Sequence, residues 1–227
     1  MKVEVLSLGG SLIFKDGKVN YAYIRQVKKL LQSYKDRKFV VVLGGGFIAR
    51  IYIDALEKFG IHQDFMSHFG VAITRTNARM LANAFGVHSN VHYLPTSLVD
   101  VKNFLGKHKI VCCGGLRYER DNTSDGTAAH IANYLGTRFI NITNVKGLYD
   151  KNPREHKNAR FIPTISYDNF DTMVSKMKYH PGQHFVLDQH ASRVIKKHKV
   201  PTYIISDDLK NLKNILDGKK FVGTTIC

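Results

Sequence analysis

The sequence predicts an α/β fold, a mainly parallel β-sheet covered by helices. Three observations predict it: short β-rich runs alternate with stretches of helical period, glycine clusters directly follow three of those runs, and no internal repeat or low-complexity linker interrupts the alternation. Residues 3–8 read as the first strand, ended by Gly9-Gly10-Ser11. Ile24, Val27, Leu30, Leu31 and Tyr34 then recur at helical spacing, which places one apolar face against a sheet. Residues 39–43 form the next strand and end in Gly44-Gly45-Gly46, and Ile48, Ile51, Ala55, Leu56 and Phe59 give a second helical stripe. A third helix is predicted over 74–85, and strands over 91–94 and 110–113, the latter ended by Gly114-Gly115. A fourth helix starts near Asp125, with Ser124 or Asp125 as its cap. Strands at 139–143 and 202–205, a helix over about 189–198, and a short helix capped by Asp207 or Asp208 before Gly218 complete the reading.

The chain has 227 residues and 44% apolar content, with 11 Tyr and 13 Phe to fill a core, which excludes disorder. It reads as a single domain, 1–227, with an N-terminal lobe over about 1–135 and a C-terminal lobe over about 136–227. No apolar run approaches the roughly 20 residues that span a bilayer, and residues 1–8 carry no secretory pattern. The expectation is a cytoplasmic protein with no membrane partner. Cys112, Cys113 and Cys227 form no CxxC pair, and the 11 histidines show no metal-ligand spacing, so no dedicated protein metal site is expected. The net charge of +16 raises nucleic acid as a partner, but the lysines are dispersed and form no run of five. A solvated basic surface is the expectation, with no specific nucleic-acid partner.

Ligands of open α/β sheets bind beyond the carboxyl ends of the strands, where all three glycine clusters fall. Glycine lets a backbone approach a phosphate without a Cβ in the way, and a helix starting there adds free N–H groups and a positive dipole end. The chain has no GxxxxGK[ST] loop. Gly44, Gly46 and Ala49 with Asp64 match a GxGxxA dinucleotide pattern, although residues 60–63 are not the apolar strand which that pattern needs. The hydroxyls of Thr123 and Ser124 beside Asp125 suit a phosphate with a carboxylate close by. Thr143 and Tyr149 open a long loop able to receive a nucleobase.

SLGGSLI at 7–13, VVVLGGGFIAR at 40–50, ITRTNARML at 73–81, TSDGTAA at 123–129, NITNVKGLYDKNP at 141–153, LDQHAS at 187–192 and GTTI at 223–226 resemble the amino acid kinase superfamily, and within it the archaeal-type uridylate (UMP) kinases. The resemblance spans the chain in order. It implies a three-layer αβα sandwich of the carbamate kinase type, in which ATP with Mg²⁺ meets a phosphate acceptor over the first glycine turns. It places Gly10, Ser11, Gly46 and Arg50 at the ATP phosphates, and Thr143, Tyr149 and Asn152 toward the rest of ATP. Gly45, Thr123 and Ser124 fall at the acceptor phosphate, and Asp125, with Arg50 and Gly10, at the catalytic centre. Mg²⁺ would be held mainly through ATP. The resemblance further implies a homo-oligomer, a hexamer built from dimers; the helix at 74–85 is a candidate interface, although its apolar face reads the same against a partner as against its own sheet.

The chain departs from the pattern at several positions. Ser7 stands where many superfamily members have lysine, a replacement shared with the archaeal branch. Ser67 stands at the position of the ribose-binding aspartate, Asn152 replaces an aspartate, and the loop at 116–122 is about two residues longer. Arg117 and Arg120 in that loop are candidate clamps for the acceptor phosphate. Isopentenyl phosphate kinases normally carry a histidine after the second glycine cluster, where this chain has Phe47. Kinase action on UMP, kinase action on another small phosphate acceptor, and nucleotide sensing without turnover are the readings carried forward.

Overall fold

The computed structural model describes residues 1–117, 123–176 and 186–227. The strands are β1 (Lys2–Leu8), β2 (Phe14–Lys15), β3 (Lys18–Val19), β4 (Arg37–Leu43), β5 (Ile110–Cys113), β6 (Phe139–Thr143), β7 (Leu148–Tyr149), β8 (Phe161–Ile162), β9 (Thr164–Ile165), β10 (Thr202–Ser206) and β11 (Gly223–Ile226). The helices are α1 (Gly10–Ile13), α2 (Tyr21–Ser33), α3 (Gly46–Lys58), α4 (Gln63–Phe85), α5 (Leu98–Lys107), α6 (Ser124–Tyr134), α7 (Tyr167–Ser175), α8 (Gln189–His198) and α9 (Leu209–Leu216).

Seven strands form one sheet in the order β5-β4-β1-β6-β10-β11-β9, and β5 through β10 run parallel. Only β10 and β11 pair antiparallel within it. β1 and β4, inside the sheet, are buried on both faces over their last five residues; in β4 these form an unbroken apolar run, whereas β1 also buries Glu4 and Ser7. One core lies under α2, α4 and α9, with Leu6, Leu31, Phe39, Leu81 and Phe85 fully enclosed. The other lies under α5, α6, α7 and α8, around Val5, Val40, Phe139 and Phe170. Helices on both faces of a sheet make the expected three-layer sandwich. Because β1 pairs with both β4 and β6, the carboxyl ends of these three strands lie side by side.

Several elements differ from the sequence reading. Residues 91–94 are not a strand: Ser89 makes one isolated parallel bridge to Ile110, and the Asn90 side chain then takes over the edge of β5. Its Oδ1 accepts from the Cys112 amide at 2.7 Å and its Nδ2 donates to the Cys112 carbonyl at 3.0 Å, so a side chain replaces the backbone ladder. α4 begins eleven residues before the predicted start at 74, because Phe65 and Phe69 lie exposed in its first half and leave no core-facing stripe to read. α5 and α7 were not anticipated; Ser97 and Ser166 cap them, each hydroxyl accepting a helix N–H. α6 is capped by Thr123, whose hydroxyl accepts from the Gly126 amide at 3.0 Å, rather than by Ser124 or Asp125. Asp208 caps α9. Asp64 lies within α4, so no strand carries it and the dinucleotide fingerprint is excluded. Cys112 and Cys113 are buried at the end of β5, where loss of hydration pushes both thiols up, whereas Cys227 is exposed.

Candidate active site at the glycine turns

A cavity of about 560 Å³ opens at the carboxyl ends of β1, β4 and β6. The turn after β1, the turn after β4, the start of α6 and the loop after β6 line it. Ten predicted site residues meet there: Gly10, Ser11, Gly45, Gly46, Arg50, Ser124, Asp125, Thr143, Tyr149 and Asn152.

The first two turns touch through their backbones. A methyl built on Gly10 would overlap the Cα and amide nitrogen of Gly46, and one built on Gly46 would come within 2.9 Å of the Gly10 Cα. Gly46 also has φ +63°, in the left-handed region that side chains rarely adopt. Side-chain-free backbone on both sides therefore lets two amide-bearing turns converge on one volume. α3 begins at Gly46 and α6 at Ser124, so both helices direct their unpaired N–H groups and positive dipole ends toward the cavity. Such a wall attracts polyanions.

Asp125 is the acid at this wall. Ser7 in β1 donates its hydroxyl to Asp125 Oδ1 at 2.6 Å, which fixes the carboxyl across the gap between strand and helix. Removal from water pushes the Asp125 carboxyl up to about 7, the nearby Asp188 carboxylate adds to the rise, and the Ser7 hydrogen bond opposes it. Asp188 accepts from the His190 and Ala191 amides at 2.8 and 2.9 Å as the cap of α8, and from the Thr123 hydroxyl. It therefore ties the start of α8 to the start of α6. Its sequence signal was an aspartate ahead of a helical stripe, which reads as a cap and conceals the link to Asp125.

At the other end of the cavity Tyr149 packs edge-on against Phe161, with ring centres 5.5 Å apart. Asn152 organises the loop there: its Oδ1 accepts from the Arg154 amide at 3.1 Å and its Nδ2 donates to Glu155 at 2.7 Å. Lys151, inside the 141–153 motif but given no role there, and Glu155 and His156, just beyond it, also line this end.

The other predicted residues that are described do not line the cavity. Thr123 stands just behind it, occupied as a cap and by Asp188. Ser67 lies on an exposed face of α4, and Arg117 is exposed beyond the third glycine turn. Arg120 lies outside the described residues. Gly114 and Gly115 pack against α4 behind the second turn. Among the described residues, no group of three or more His, Cys, Asp or Glu side chains is placed to hold a metal.

The pattern that defines the Amino acid kinase family matches residues 2–206. A uridylate kinase of Thermoplasma volcanium is 34% identical to this chain, covering 98% of it and 96% of the relative. The crystal structure of uridylate kinase from Archaeoglobus fulgidus superimposes with a TM-score of 0.83 at 30% identity, covering 100% of both chains. An isopentenyl phosphate kinase structure shares the fold at TM-score 0.72 and 16% identity, covering 99% of this chain and 100% of that one.

Proposed function

This chain belongs to the amino acid kinase family, and from that premise we propose that it is a phosphotransferase that moves the γ-phosphoryl group of ATP onto UMP. The observation that carries the reading is the backbone contact of Gly10 with Gly46, which brings two anion-receiving turns to a single cavity. Full-length likeness to uridylate kinases supports UMP as the acceptor.

In this reading Gly10, Ser11, Gly46 and Arg50 hold the ATP phosphates, while Thr143, Tyr149 and Asn152 receive the rest of ATP. Gly45, Thr123 and Ser124 serve the acceptor phosphate. Ser67 and Arg117 belong to the acceptor's outer surroundings, beyond the cavity lining, and Arg120 is assigned to the same acceptor. The acceptor lobe is then 1–135 and the ATP lobe 136–227. An acceptor phosphate oxygen forms the new bond to the γ-phosphorus as the bond to the β,γ-bridging oxygen breaks, and ADP departs with that electron pair. The acceptor is already an anion, so no general base is needed, and the protein's work is alignment and charge stabilisation. Mg²⁺ arriving with ATP would find an oxygen donor here in the Asp125 carboxyl at the cavity wall, whose charged form a cation would favour. Bound with ATP, Mg²⁺ would neutralise charge spread over the phosphates.

A homo-oligomer, hexameric as in the resemblance, is part of the proposal, with its contact surface moved. Ala78, Leu81, Ala82 and Phe85 of the predicted interface helix are buried in the chain's own core. Exposed apolar side chains gather instead at Phe47, Ile51 and Tyr52 on α3, Phe59 after it, and Phe65 and Phe69 on α4. A second copy of this chain is the proposed cover for that ridge. Sedimentation equilibrium is expected to give a multiple of the chain mass, and an Ile51→Glu variant is expected to shift it toward the monomer. Cytoplasmic placement belongs to the same proposal, supported by nucleotide substrates; no described helix is long and apolar enough to cross a membrane.

ADP release from Mg-ATP tests the reaction, measured with UMP, CMP, other nucleoside monophosphates and isopentenyl phosphate. UMP is expected to give the highest kcat/KM. A higher value with isopentenyl phosphate would reassign the acceptor, and ATP binding with no responsive acceptor would make the protein a sensor.

A further inference from the structure

The ITRTNARML segment has no part in the roles above, yet one turn of α4 within it grips both the second and the third glycine turns. Asn77 is 4% exposed, and its Nδ2 donates to the Gly44 carbonyl at 2.9 Å and to the Gly45 carbonyl at 3.1 Å. Both protons of one buried amide are therefore spent on the turn that ends in Gly46. Thr74, also buried, accepts from the Gly115 amide at 3.0 Å while donating to the Val71 carbonyl at 2.7 Å. Arg75 donates from Nε to the Gly115 carbonyl at 2.8 Å and from a terminal nitrogen to the Leu116 carbonyl. Gly114 lies so close to the helix that a methyl on it would fall 2.5 Å from the Arg75 amide nitrogen and 2.7 Å from the Thr74 carbonyl oxygen.

These contacts join parts with different duties. The second turn meets Gly10 and lines the cavity, whereas the third leads through residues 116–122 to Thr123 and Ser124. α4 packs against β4 and β5, the strands from which the two turns leave. Resting on the phosphotransfer reading above, we propose that Thr74, Arg75 and Asn77 are positioning residues: they yoke the two turns to one helix and so set the gap that the phosphoryl group crosses. Hydrogen bonds to carbonyls suit this task, because they hold the turns from behind and leave their N–H groups for the anions. A displacement of the order of 1 Å at reacting atoms costs about 10²-fold in rate without removing any group that touches substrate.

The test compares Asn77→Leu, which keeps side-chain bulk but removes both donors, with the pair Thr74→Val and Thr74→Ser. Turnover of the unaltered protein with UMP is measured first, so that failure of the reaction itself is seen separately. Asn77→Leu is expected to lower kcat by about 10²-fold, with KM for ATP and UMP changing by less than about threefold. Thr74→Ser keeps the hydroxyl and is expected to retain kcat near the unaltered value, while Thr74→Val loses it. Equal losses in the two Thr74 variants, or an Asn77→Leu effect confined to the thermal midpoint with kcat intact, would overturn the yoke. If the unaltered protein turns over no acceptor, amide hydrogen exchange decides: Asn77→Leu is expected to speed exchange at residues 44–46, and unchanged protection there overturns the proposal.

Discussion

Gly10→Ala is expected to abolish phosphoryl transfer in a chain that still folds. The added methyl has nowhere to go: it would overlap the Gly46 Cα and amide nitrogen, which are backbone atoms unable to rotate aside. The strain falls on the second turn, because Gly10 opens α1 beyond the carboxyl end of β1 and the atoms its methyl would meet are backbone of Gly45 and Gly46, not core side chains. Relief requires the first and second turns to separate, and with them the amides that receive the donor phosphates. Loss of alignment and of preorganised donors together costs about 10³-fold or more in kcat/KM for ATP. Gly106→Ala is the control: it sits in the last turn of α5 with open space around it and is expected to keep full turnover. Steady-state kinetics with circular dichroism checks the pair. Near-normal turnover in folded Gly10→Ala would show that the contact of the two turns is not what builds the site.

The reach of the sequence follows from which interactions are local. Strands buried on both faces, such as 39–43, are written as unbroken apolar runs, and glycines at their ends mark where the backbone must come close to something. Gly10, Ser11, Gly45, Gly46 and Thr143 were therefore legible at or just beyond a strand end, whereas Arg50, Ser124, Asp125, Tyr149 and Asn152 lie farther along the chain and were read from a helix start, a long loop or the motifs shared with the kinase superfamily. Contacts made across the fold left no comparable trace. Asn90 takes the place of a strand through its side chain, Asp188 reaches Thr123 from 65 positions away, and Asn77 holds carbonyls more than 30 positions back. In one dimension each is an ordinary polar residue beside a helix or strand. The same holds for the exposed ridge of α3 and α4: its apolar spacing is indistinguishable from a core stripe until the fold shows which face is already covered.

Asp125→Asn is expected to lower kcat at least tenfold with modest change in ATP affinity, and its pH dependence separates charge from shape. The substitution preserves volume and leaves an oxygen for the Ser7 hydroxyl, so only the negative charge is lost. In the unliganded protein the carboxyl is held up at about 7 against an ordinary 3.8, first by desolvation and then by Asp188. Neutral Asp125 thus predominates below pH 7, and kcat/KM for Mg-ATP is expected to rise as pH increases through that range. The rise should be absent in the Asn variant. Stability moves the opposite way. A carboxyl whose folded pKa lies above its unfolded one favours the native state fully below about pH 4, and that contribution disappears as pH climbs through about 7. The unliganded Asn variant should then unfold at a higher temperature than the original protein at pH 8, with the advantage shrinking toward pH 4. Turnover thus requires a charge that burial disfavours, and a divalent cation bound with the nucleotide would offset that cost. A thermal-midpoint difference that stays constant from pH 4 to 8 would show that Asp125 titrates normally, and the centre would have to be built around another group.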